Sequence, residues 1–86
     1  MENYFKTVDL ILQSKIDKMP LKRNTAEKMS IYIKTYGECL FEMQDELRTF
    51  FNKYTKENNF SEIEIAKLNK YNHDSISSFI DKFMKS

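Results

Sequence analysis

Apolar residues recur along this chain at intervals of three and four rather than two, and that period belongs to helices. In the first segment Tyr4, Phe5, Val8, Ile11, Leu12 and Ile16 gather on one side of a helix over residues 3–18. Pro20 ends it, because the residue before a proline is pushed out of the α region. Met19 is the expected stop and Pro20-Leu21-Lys22-Arg23 the connecting loop. From Met29 the apolar positions run Ile33, Tyr36, Leu40, Met43, Leu47, Phe50 and Tyr54, alternating four and three as a heptad seam does. That seam predicts one helix over residues 25–57, with Gly37 inside it costing about 1 kcal/mol against alanine. Asn24 and Glu27 read as its capping box, each side chain satisfying a backbone amide that a helix start leaves unpaired.

Asn58-Asn59 marks the next turn. Ser61 and Glu64 then form a second capping box, flanked by Phe60 and Ile65 as a hydrophobic staple, and open a helix over residues 61–85. Its inner face collects Ile65, Leu68, Ile76, Phe79, Ile80 and Phe83, but Asn69, Asn72 and His73 interrupt the middle. This polar notch admits three readings. It is hydrogen-bonded core, or an exposed stretch where the helix overhangs its neighbours, or a break at which Asp74 or Ser75 caps a fourth short helix.

The expected fold is therefore all-α: an antiparallel three-helix bundle with a long central second helix in one domain over residues 1–86, the break in helix three being the four-helix variant. One glycine and one proline leave too little turn chemistry for a sheet. Tyr36, Phe50 and Tyr54 are bulky for a two-stranded coiled coil and suit the wider interior of a bundle. Tyr36-Gly37-Glu38 is a poor substitute for the Trp-x-Gly turn of helical secreted hairpins, and the unbroken seam argues against a turn there.

Composition adds bounds. With 41% apolar and 31% charged residues among 86, the chain belongs with folded proteins. A chain this short buries only about 60% of its unfolded surface, so its stability margin is thin and association would help it. The second helix would run about 50 Å, longer than a compact body of this size needs. Both points raise a homodimer or a protein partner. A formal charge of +1 gives no global attraction to nucleic acid or anionic membrane. The single cysteine, Cys39, suits a reducing compartment. No cationic, then apolar, leader opens the chain and no stretch is long enough to span a membrane. A cytoplasmic protein is expected. Lysine far above arginine, frequent asparagine and scarce alanine mark an AT-rich genome, as in many bacteria and phages.

Candidate chemistry is sparse. Ile31 and Phe41 project away from the seam among Lys34, Glu38 and Asp45, which makes Ile31, Phe41, Glu38 and Asp45 the expected partner-binding set. Glu38, Glu42, Asp45 and Glu46 form an acidic strip expected to be solvated. No Glu-x-x-His pair accompanies them, so a di-iron site is not expected. Lys15, Lys18, Lys22, Arg23 and Lys28 cluster about the first loop, and Lys18, Lys22, Arg23 and Lys28 are the set a nucleic-acid-binding alternative would use. His73 lies beside Asp74 and Ser75, but neighbours on a helix point about 100° apart and cannot form one constellation. Cys39 reads as a small buried hydrophobe. No cofactor, metal or catalytic residue is indicated. The expected function is a non-enzymatic helical protein that binds and modulates a partner protein, of regulator, inhibitor or immunity type. A self-assembling structural subunit and a nucleic-acid accessory protein are the alternatives.

Overall fold

The helical spacing is realised as three helices, α1 (Glu2–Lys18), α2 (Ala26–Glu57) and α3 (Glu62–Met84). The computed structural model describes residues 1–20 and 22–84. Leu21 of the expected first loop and Lys85, expected to end helix three, lie outside the described residues. Each helix packs on both others, α1 and α3 running antiparallel to α2, and the assembly measures 50 × 19 × 16 Å. Among the described residues there is no strand. The protein is an all-α three-helix bundle.

The core is Tyr4 and Val8 from α1, Met19 from the first loop, Tyr32, Cys39, Met43 and Leu47 from α2, and Leu68 and Phe79 from α3. Aromatic rings join the helices. Tyr4 stacks on Phe50 at 4.9 Å, Phe5 meets Tyr71 at 4.3 Å, and Tyr36 stacks on Phe79 at 5.7 Å. Offset and tilted ring pairs of this kind add roughly 0.5–1.5 kcal/mol each beyond their buried area. Their bulk keeps the interior wide, as the large seam residues require.

Two buried polar arrangements fix how the helices sit. The Tyr4 hydroxyl, fully buried, donates to Asn72 Oδ1 at 2.6 Å, and near the surface the Tyr71 hydroxyl donates to Asp9 Oδ1 at 2.7 Å. These bonds clip α1 to α3. Burial first, against the opposing effect of the Asn72 bond, pushes the Tyr4 phenol above its ordinary value. The bond to Asp9, then burial, does the same for Tyr71. On the α1–α2 side Lys15 is only 4% exposed, and its ammonium contacts Glu46 at 2.7 Å and Glu42 at 3.4 Å. Burial alone would push that ammonium down, but the hydrogen bonds and charges of Glu46 and then Glu42 outweigh it and raise it above the ordinary lysine value.

Four expectations are corrected. Of the three readings of the notch the break falls, because α3 is unbroken through Asn72: Asn72 is hydrogen-bonded core with Tyr4 as its partner, Asn69 and His73 face outward, and the Ser75 hydroxyl donates back to the Tyr71 carbonyl at 2.9 Å. Thr25 rather than Asn24 caps α2. It takes an extended conformation, and its hydroxyl accepts from the Lys28 amide at 3.1 Å, leaving Glu27 one place too early to complete a box. Ser61 and Glu64 do exchange both bonds of their box, at 3.0 and 3.2 Å. Third, Lys15 belongs not to a basic surface but to the α1–α2 contact, where Glu42 and Glu46 face it, while the acidic strip is exposed as expected.

The fourth correction concerns the seam. It holds from Tyr36 through Tyr54, with Tyr36 and Leu40 packed against the core, but Tyr32 and Cys39 join the buried positions nearer the start of α2, while Met29 is 37% and Ile33 62% exposed. Met29 and Ile33 lie about five whole turns before Leu47 and Phe51, which pack in the core, and so point the same way around α2; what differs at this end is the cover. Helix α1 stops short. Its last side chain, Lys18, reaches Glu42, and the stretch of α2 before that is flanked by the first loop, where the Arg23 guanidinium lies 4.7 Å from the Tyr32 ring centre. Tyr32 turns inward, and its hydroxyl donates to the Phe83 carbonyl at 2.9 Å, satisfying an acceptor that the last turn of α3 would leave open.

Candidate functional site

The uncovered start of α2 leaves an apolar row on its surface. Met29, Ile33, Gly37 and Phe41 follow one another at intervals of four, which on a helix makes a continuous ridge. Phe41 is 71% exposed, and at the end of α3 Met84 is 69% exposed beside the start of the row. Between the start of the row and the end of α3 lies an open groove of about 520 Å³, lined by Met29, Ile33, Gly37, Phe83 and Met84 together with Tyr32, Tyr36 and Arg23. A Cβ added at Gly37 would meet nothing within 4 Å, so the glycine leaves a notch in the ridge between Ile33 and Phe41.

Of the expected partner-binding residues, Phe41 continues this ridge. Glu38 and Asp45 flank it, both exposed, with Asp45 accepting from Arg48 at 2.9 Å. Ile31 is separate. It lies about 80° around the helix from Phe41, where with Pro20, Lys22 and Lys28 it lines a shallow hollow of about 460 Å³. The heptad reading places Met29 and Ile33 in the core, and Gly37 and Met84 on no surface. The one sequence signal for their exposure is the stop of α1 at Pro20, which leaves the start of a much longer α2 without that neighbour.

Two of the four basic residues are engaged within the chain. Lys18 is bound to Glu42 at 3.3 Å and Arg23 lies over Tyr32, while Lys22 and Lys28 border the hollow beside Ile31. Lys18 first, then Lys15, holds the Glu42 carboxyl below its ordinary value. A third opening of about 320 Å³ lies between α2 and α3, lined by Arg48, Asn52, Asn69, Asn72 and His73 among others. It offers hydrogen-bond donors and amides, but its lining includes no carboxylate or thiol for His73 to activate. Cys39 is buried, and burial first, then the charge of Glu42, pushes its thiol up and keeps the thiolate scarce at neutral pH. Among the described residues no group of three or more His, Cys, Asp and Glu side chains gathers to hold a metal ion, and no helix is long and apolar enough to cross a membrane.

Compared with known proteins, the chain matches no family model, no curated protein and no solved structure.

Proposed function

We propose that the chain is a non-enzymatic protein-binding module of regulator or inhibitor type, acting in the cytoplasm by laying the apolar ridge of α2 against another polypeptide. The observation that carries this reading is the ridge itself: Ile33, Phe41 and Met84 each expose well over half their surface beside an open apolar groove. Contiguous apolar surface of this kind, rimmed by charge, is the usual mark of an interaction site. The core beneath it is closed without those side chains, so folding gives no reason for them to be apolar. The nucleic-acid alternative has the weaker footing, because Lys18 and Arg23 of its set are engaged within the chain.

The test is co-purification with crosslinking and mass spectrometry, comparing the wild-type chain with Ile33→Glu in an extract of its source cells. The expected result is a polypeptide crosslinked through Lys34 to the wild type and lost from the variant, with helical circular dichroism unchanged. Identical capture by both chains, or crosslinks confined to other surfaces, overturns the reading.

A further inference from the structure

Resting on that reading, we infer that the polypeptide taken by the ridge is a second copy of this chain, docked antiparallel across a two-fold axis at Gly37. The ridge is self-complementary. With Gly37 on the axis, Ile33, one turn before it, meets Phe41 of the second copy, and Phe41, one turn after, meets that copy's Ile33. A two-fold contact requires this exchange, in which residue i meets j and j meets i. Ridges spaced by four interdigitate when two helices cross at about −50°, and the missing side chain at Gly37 lets the backbones approach at the crossing point.

Charge favours the same occupant. Lys34 and Glu38 sit one residue further round α2 than Ile33 and Gly37 and form the next ridge. Among the described residues neither has an ion-pair partner in its own chain. An antiparallel copy runs Lys34 past the other chain's Glu38 and Glu38 past its Lys34, giving two opposite-charge contacts, whereas a parallel two-fold copy would put the two ridges on opposite edges of the contact. The approach is open, because α1 lies against Glu42 and Glu46, and Glu46 lies about 180° around α2 from Gly37. The first copy's Met29, Phe83 and Met84 then line the margin of the contact.

Sedimentation of the purified chain across a hundredfold concentration range tests this. The expected result is a shift from one chain to two as concentration rises. Phe41→Glu and Gly37→Gln should each weaken association at least about 30-fold, the scale of losing an interface anchor, with helicity retained. Lys34→Glu and Glu38→Lys should each weaken it, and the two together should restore it. A single chain at every concentration overturns the inference, as does a dimer indifferent to Phe41→Glu and Gly37→Gln. If the chain sediments alone while the extract still yields a different, Ile33-dependent polypeptide, the second copy is excluded and the broader binding reading stands. If neither experiment finds a partner on the ridge, both fall together.

Discussion

At the scale of single residues, the polar groups inside this bundle matter as much as the apolar ones. Tyr4 and Asn72 are mutual partners in the core. Asn72→Leu leaves a buried hydroxyl without an acceptor and should cost about 1–3 kcal/mol, whereas Tyr4→Phe with Asn72→Leu should recover much of that loss. A double-mutant cycle by urea unfolding measures the coupling, and additive losses would mean that the bond contributes nothing. Lys15 behaves differently. Its methylene stem is buried and its two carboxylate partners are half exposed, so Lys15→Met should change stability by no more than about 1 kcal/mol, because water takes over the freed carboxylates. Removing both Glu42 and Glu46 instead strands a buried ammonium, and should lower the thermal midpoint more than Lys15→Met does.

At the scale of elements, helix starts are set by which residue leaves the helical conformation, and adjacent Asn24 and Thr25 are both good candidates by composition. Thr25 wins because its hydroxyl reaches the Lys28 amide from an extended backbone. Thr25→Ala should therefore cost about 1 kcal/mol, and Asn24→Ala only a few tenths. Equal losses in thermal unfolding would return the cap to Asn24. Helix α2 persists through Gly37 because the residues on either side keep its buried face in contact with α1 and α3, and a single glycine's cost of about 1 kcal/mol is small against that packing. The stop of α1 and the start of α3 were legible from Pro20 and from the Ser61-Glu64 pair, since both signals act within a few residues of where they stand.

At the scale of the whole molecule, ionisable groups set a pH window. Burial raises Cys39, and Tyr4, Tyr71 and Lys15 are raised as well. For a raised group the stabilisation is complete below the unfolded-state value and is lost as pH climbs through the folded one. The alkaline decline should thus begin near pH 8.5 with the thiol and steepen above about pH 10 with the phenols and the ammonium. Lys18 lowers Glu42, and the backbone amide and then the hydroxyl of Ser61 lower Glu64. Their contribution is complete above about pH 4.3 and is lost as pH falls through their depressed values. The urea midpoint should be flat between roughly pH 5 and 8 and fall on both sides. Cys39→Ala should delay the alkaline onset to about pH 10, and an unshifted onset would remove the thiol from the account.

By itself the sequence determined that this protein is helical, where its three helices lie to within a residue or so, and which residues of α1 and α3 supply the inner faces. Those properties follow from local periodicity and local turn chemistry, and neither depends on a distant partner. Only the tertiary structure decided which side of the first third of α2 is buried, that Asn72 and Lys15 are interior groups with partners on other helices, and that Met29 and Ile33 join Phe41 in one exposed ridge. The reason is geometric. Helix α1 does not reach the start of α2, so the face that turns inward there is chosen by Arg23 and Phe83, residues that are distant in sequence or lie outside the helix altogether.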